Sequence, residues 1–374
     1  MAIRLSILVL CLAWFACEAA NSQTVKPSNR QTSHREFVRR LGVGINIGNT
    51  LECPGGDERE WGNAPVTKDL LDLYKTKGIR SIRLPVTWAR HFKRDEKGHR
   101  IDDEFMAKVD RTVRLCLAEG FYVILDVHHD GGEGEEAWLI LKDGDDREML
   151  VTLRDVWRQI AANFADCGER LLFEAFNEVK APGDWCGGAQ YAEKMRRLAY
   201  VFYRSVRGAG GENARRWLVI PTYAAAPNPD AVAAWKSPAP EDGRILADVH
   251  MYVPGEFAVW GKLSHFTDEM REAVHREWRQ VAEGFARHGV GVVAGEVGAE
   301  IRFHDGDESR PNTADRLEWA RENGAAARES GIAPFLWDSG GDGSRGFPLA
   351  DRQNFVWRNE AILDGFLDAY RGNQ

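Results

Sequence analysis

Apolar and polar positions alternate in blocks from about Leu41 to the end of the chain. Short apolar runs are separated by longer stretches whose apolar residues recur at helical spacing. The runs are "GVGINIGN", "IRSIRLPVTW", "FYVILDVHHD", "RLLFEAFNEV", "RWLVIPTY", "RILADVHMY", "GVGVVAGEVG" and "IAPFLWDSGG", and each predicts a buried strand. Between them, "DLLDLYKTKG" predicts a helix stopped by Gly78. "DEFMAKVDRTVRLCLAEG" predicts one capped by Asp102 or Asp103 and ended by Gly120. "TLRDVWRQIAANFADCG", "AQYAEKMRRLAYVFYRSVRGAG", "NPDAVAAW", "DEMREAVHREWRQVAEGFARHG", "ADRLEWARENGAAARESG" and "NEAILDGFLDAY" supply the remaining helices. Eight strand and helix units predict an α/β fold, a closed (β/α)8 TIM barrel in one domain over residues 36–374. An open doubly wound sheet would carry a G-x-G-x-x-G turn opening a helix after the first strand, and "GVGINIGN" lacks it.

The amino-terminal residues stand outside this pattern. Arg4, an apolar stretch after it, and Cys17-Glu18-Ala19 as a small-x-Ala site predict a signal peptide over residues 1–19, cleaved near Ala19, and hence a secreted protein, extracellular or periplasmic. Lipidation at Cys17 is the weaker alternative, because Trp14, Phe15 and Ala16 before it match a lipobox poorly. Residues 20–35 are polar and unpatterned and predict a flexible leader.

Composition narrows the function. A formal charge of -8 and an isoelectric point near 5.8 leave no basic footprint for nucleic acid. No segment is long enough to span a membrane, and a monomer is the plain expectation. Thirteen Trp and eight Tyr are consistent with flat faces that stack on sugar rings. Four cysteines remain after cleavage, too few for a disulfide framework in so large a domain. Cys116 and Cys167 fall on apolar helix faces and read as buried thiols. Cys53 and Cys186 fall in loops on one side of the fold, so a bridge between them is open.

In such a barrel the working groups sit at the carboxyl ends of the strands. Those ends hold Asn49 and Glu52, Arg83, His128 and His129, Asn177 and Glu178, His250 and Tyr252, Glu296, and Trp337 in order. Two glutamates at facing strand ends suit glycoside hydrolysis, one protonating the leaving oxygen while the other attacks the anomeric carbon. Arg83 aimed at Glu296 would hold that carboxylate ionised, burial would raise Glu178, and Tyr252 could donate to the nucleophile. His128 and His129 suggest no metal, since adjacent strand residues point to opposite faces and no third ligand has the required spacing. The loops around Trp185 and from Ser339 onward, with Trp88, Trp61 and Trp260, are candidate walls of the cleft.

"GINIGNTLE", "IRLPVTW", "VILDVHHD", "FEAFNE", "HMY", "GEVGA" and "WDSG" together resemble the strand-end motifs of glycoside hydrolase family five, the cellulase family, nearest its bacterial endoglucanases, xyloglucanases and mixed-linkage glucanases. The resemblance implies a metal- and cofactor-independent retaining endo-β-1,4-glucanase acting on a β-glucan polysaccharide. By it Glu178 is the acid/base and Glu296 the nucleophile, with Arg83, His128, Asn177, His250 and Tyr252 around them. Asn49, Glu52, His129 and Trp337 match sugar-contacting positions. The chain departs from the family pattern at Val179 (usually Pro), Val297 (usually aromatic) and Ile45 (usually Trp), which bears on loop shape and substrate preference. A β-mannanase of the same family, or a catalytically silent glycan-binding protein, is the alternative.

Overall fold

The computed structural model describes residues 29–372 apart from 97, 133, 135, 136, 188 and 262, so the expected signal peptide and most of the leader lie outside the described residues. Eight parallel strands close into a barrel in strict chain order. They are β1 (Gly44–Ile47), β2 (Ser81–Leu84), β3 (Tyr122–Leu125), β4 (Leu171–Glu174), β5 (Leu218–Pro221), β6 (Ile245–His250), β7 (Gly291–Val297) and β8 (Ala333–Asp338), with β8 hydrogen-bonded back to β1. The expected (β/α)8 barrel is therefore the fold.

The helices are α1 (Asn29–Leu41), α2 (Lys68–Thr76), α3 (Asp103–Ala118), α4 (Arg147–Asn163), α5 (Ala192–Gly208), α6 (Pro229–Ala234), the short α7 (Gly255–Ala258), α8 (Asp268–Ala286), α9 (Thr313–Ser330) and α10 (Glu360–Arg371). Their packing follows from their pattern. In α3, Asp102 accepts from the amides of Glu104 and Phe105, and Phe105, Val109, Val113 and Cys116 form the buried stripe. The helix stops just before Gly120, which takes φ 91°.

The core has two compartments. Ile124, Leu172, Val219, Leu246, Val293 and Phe335 fill the lower barrel, one from each of six strands, and α1 closes that end with Phe37, Val38 and Leu41. Phe37 stacks on Trp217 with ring centroids 4.1 Å apart. His34, also buried, bonds through Nε2 to the carbonyl of Gly243 at 2.8 Å. Residues 29–35, expected within the leader, are thus the first turns of this plug. The second compartment lies between the outer faces of the strands and the helices.

Two antiparallel ribbons, Phe92–Asp95 with Gly98–Ile101 and Ala350–Asp351 with Val356–Trp357, were not apparent in the sequence pattern. Cys116 and Cys167 are buried thiols, as expected. Cys53 is buried, Cys186 is exposed and both are free, so the bridge between them does not form. No helix among the described residues is long and apolar enough to cross a membrane.

Candidate active site

Above the apolar layer the barrel interior turns polar, and Arg83 is its centre. Fully buried, it donates Nε and Nη2 to the carboxylate of Glu174, both at 2.8 Å, and Nη1 to Glu296 Oε1 at 2.9 Å. It also donates to the side-chain oxygens of Asn177 at 2.8 Å and Asn46 at 3.1 Å, and lies 2.9 Å from Asp126. Three carboxyl groups around one guanidinium keep it charged, well above its ordinary range despite burial.

Glu296 reaches this centre through an irregularity in β7. Val249 pairs with Ala294 but His250 with Glu296, and the β8 register shifts at the same place. The extra residue, Gly295, reverses the alternation, so Glu296 faces inward to Arg83 while Val297 joins the outer core. A side chain at Gly295 would stand 2.7 Å from Asp248, whose Oδ1 takes the Gly295 amide.

Glu178 lies four residues beyond the end of β4, with a quarter of its side chain exposed. Its carboxyl, that of Glu296 and the His250 ring offer atoms that all lie within 4.8 Å of one another. His250 Nδ1 is 2.6 Å from Glu178 Oε1 and 3.6 Å from Glu296 Oε2. Tyr252 donates its hydroxyl to Glu296 Oε2 at 2.7 Å. The two acids therefore differ in company. Desolvation pushes Glu178 up to about 7, opposed only by the more distant charges of Arg83 and Lys180. Desolvation also raises Glu296, but the charge of Arg83 and the Tyr252 hydrogen bond pull it back. Burial lowers His250 and His128 and raises Tyr252, so the imidazoles are neutral and the phenol is a donor at neutral pH.

The other expected residues divide. His128 sits inside, its Nδ1 2.7 Å from Asp126 Oδ2 and its Nε2 3.9 Å from Glu296. His129 turns outward beside Trp61, at 6.0 Å between rings. Trp337 lies against Gly48, where a Cβ would come within 2.6 Å of its ring, and stacks on His128. Asn49 occupies the turn after β1 at φ 57°. Glu52 does not reach the cleft. It is fully buried beneath that turn, accepting the amides of Asn49 and Thr50, and so shapes the loop. Trp88 is likewise core, its Nε1 bonded to the carbonyl of Asp126. Trp185 and Trp260 are exposed and, with Glu178, His250, Tyr252 and Glu296, line a cavity of about 670 Å³. The three departures, Ile45, Val179 and Val297, are all core residues.

Pattern reading missed Asn46, Asp126, Glu174 and Asp248, all fully buried around Arg83 and His250. A signal existed: Asp126 and Asp248 precede His128 and His250 by two, which places each pair on one strand face. Burial and the charge of Glu174 push Asp248 well above the ordinary carboxyl range.

A closed (β/α)8 barrel with two facing carboxyl groups at its mouth defines the class, a glycoside hydrolase. The chain belongs to the cellulase family, glycosyl hydrolase family 5, whose model matches residues 43–343. It is 30% identical over 358 residues to endoglucanase A of Ruminococcus albus, covering 91% of this chain and 93% of that one. It is 29% identical to endoglucanase B of Clostridium cellulovorans over 92% of this chain and 78% of that one. Among solved structures, a family 5 xyloglucanase from Paenibacillus pabuli superposes with a TM-score of 0.81 at 27% identity, over 89% of this chain and 99% of that one. A broad-specificity endoglucanase from Ruminococcus champanellensis with bound cellotriose gives 0.80 at 26%, over 89% and 97%.

Proposed function

We propose that this protein cuts β-1,4-linked glucans within the chain by double displacement, with Glu178 as acid/base and Glu296 as nucleophile. The observation that carries the reading is the pair itself. The two carboxyls lie within 4.8 Å of each other, near the roughly 5 Å that a retaining mechanism uses and short of the gap an interposed water needs. Their environments fit the two roles, one held protonated by desolvation and the other carrying Arg83 and Tyr252.

In the first step Glu296 attacks the anomeric carbon while Glu178 gives its proton to the departing glycosidic oxygen, leaving a glycosyl ester on Glu296. In the second, Glu178, now ionised, takes a proton from water, whose oxygen displaces Glu296 and restores the starting configuration. Neutral His250 contacts Glu178 and is the group that orients it through both steps. Asn177 gives its amide oxygen to Arg83, which frees its nitrogen as a donor to the sugar. Trp337 on the β1 side and Trp185 and Trp260 on the β4 to β6 side are the sugar platforms. The xyloglucanase and the cellotriose-bound endoglucanase among the similar structures support a β-1,4-glucan as substrate. The charged, apolar and small-residue order of residues 1–19 supports export.

The test is reducing-end release and viscosity loss on carboxymethyl cellulose, barley mixed-linkage glucan, xyloglucan and mannan, with Glu178→Gln and Glu296→Gln beside the wild type. Fast viscosity loss on the glucans, abolished by either substitution, is expected. Cutting of mannan alone would make the protein a β-mannanase, and glucan binding without cutting would make it a glycan-binding protein.

A further inference from the structure

Away from the barrel mouth, three side chains from separate segments converge on one point. They are His265 in the loop before α8, His304 in the loop after β7, and Asp315 in the first turn of α9. One nitrogen from each imidazole and a carboxylate oxygen lie within 4.8 Å of one another. His304 Nε2 is 3.4 Å from Asp315 Oδ2, and His265 Nδ1 is 3.7 Å from Asp315 Oδ1.

These separations are long for hydrogen bonds. They are close to the spacing of about 3.3 Å between ligand atoms that a tetrahedral zinc ion imposes when it holds each at about 2.0–2.1 Å. The groups behind the ligands are also in place. His304 Nδ1 is 3.0 Å from the hydroxyl of Ser264, a partner that fixes the ring and presents Nε2 to the shared point. Asp315 is held through the amide of Phe266 at 2.7 Å. The two imidazoles stack at 4.3 Å, and His265, mostly exposed, is free to turn its Nδ1 onto an ion.

We propose that His265, His304 and Asp315 form a binding site for a divalent transition-metal ion of the zinc type, with water completing its coordination. Two imidazoles and one carboxylate suit zinc, nickel or cobalt and disfavour the oxygen-preferring calcium and magnesium. The ion ties the loop before α8 to the loop after β7. The first of these carries Trp260 of the cavity wall, so the site steadies that wall without touching the reacting groups.

The test uses untagged protein stripped with a chelator and titrated with zinc chloride by calorimetry and thermal melting, alongside cobalt chloride read by visible absorption. One equivalent is expected to bind. Tm should rise roughly 2–5 °C at a hundredfold excess over Kd, and cobalt should give the visible bands of a low-coordinate site. His265→Ala, a change at an exposed position, should weaken binding at least tenfold and leave the metal-free Tm unchanged, and His304→Ala should abolish it. Absence of binding by the wild type overturns the proposal. So does binding that survives the His265→Ala/His304→Ala pair, which would place the ion elsewhere, as at Glu178, His250 and Glu296, where inhibition of cutting would reveal it.

Discussion

Tyr252 and Arg83 take opposite oxygens of Glu296, the phenol donating to Oε2 at 2.7 Å and the guanidinium to Oε1 at 2.9 Å. Both bonds favour the ionised carboxylate against the desolvation that raises it. Tyr252→Phe removes one of them without removing the ring. The expected result is a fall in kcat/KM of roughly 10- to 100-fold, the worth of one hydrogen bond to a charged group. The acid limb of the pH profile should also move to higher pH, because Glu296 then ionises less readily. An unmoved acid limb would show that Tyr252 does not act through Glu296.

The basic limb reports the other acid. In the proposed mechanism Glu178 must be protonated to release the leaving group, and desolvation puts its pKa at about 7. Activity is therefore expected to be lost as pH rises through about 7, while the acid limb belongs to ionisation of Glu296 and lies lower. Because the pair interacts, the two limbs are properties of the pair. Glu178→Gln should erase the basic limb on an activated aryl glycoside, whose leaving group needs no proton. A limb near 7 that persisted in this variant would remove Glu178 from the acid role.

Beside the role proposed for it at Glu296, Arg83 is a structural ion. Arg83→Met would leave Glu174 and Asp126 without their counter-ion in a fully buried layer, at a cost of about 3–5 kcal/mol at neutral pH. The sign with pH follows from linkage. Desolvation already raises Glu174 and Asp126, and losing the guanidinium raises both further. A carboxyl whose folded pKa exceeds its unfolded value favours the fold while protonated. The deficit should thus be smallest near pH 4 and grow as pH rises through the folded values. Urea melts of the variant at pH 4.5 and 7.5 test this, with Arg83→Lys as the milder case if Arg83→Met does not accumulate. A deficit independent of pH would rule out the electrostatic account.

The barrel was legible because its strands are continuous apolar runs and its helices carry caps and stripes, all local signals. Arg83, His128, Asn177, Glu178, His250, Tyr252 and Glu296 were legible because polar groups at the tips of apolar strands have no packing use. What escaped depends on register and depth. Simple alternation would face Glu296 outward, and only the extra residue at Gly295 turns it in. Glu52 and Trp88 were placed in the cleft because they follow strands, whereas their hydrogen-bond partners draw both under the surface. Glu174 and Asp248 sit within the strands and Asp126 directly follows β3, buried positions where the role of an acid is plain only once Arg83 is known to lie opposite.

Thiol chemistry offers an inexpensive check on the loop arrangement. Cys186 is exposed, while Cys53, Cys116 and Cys167 are buried and none is bridged. In protein lacking residues 1–19, one thiol should react with Ellman's reagent in the native state and four after unfolding, with or without prior reductant. Two thiols appearing only on reduction would restore the Cys53 to Cys186 bridge.

The amino-terminal plug makes the sharpest distinction between the expected boundary at residue 36 and the observed start of α1 at Asn29. Phe37 is fully buried, stacks on Trp217 and closes the apolar end of the barrel, so it belongs to the same core as Leu172 and Val293. Phe37→Ala should cost about 3–5 kcal/mol, because α1 is held by neighbours on one face and cannot collapse into the space left. A chain beginning at Glu36 keeps that ring but loses the first turns of α1 and the His34 bond to Gly243. It should melt below a chain beginning at Asn21, by less than the Phe37→Ala variant does. Activity well under the melting transition should stay near wild type in both, since neither change touches a group at the barrel mouth. Equal melting of the chains beginning at Glu36 and Asn21 would mean that residues 29–35 are dispensable leader after all.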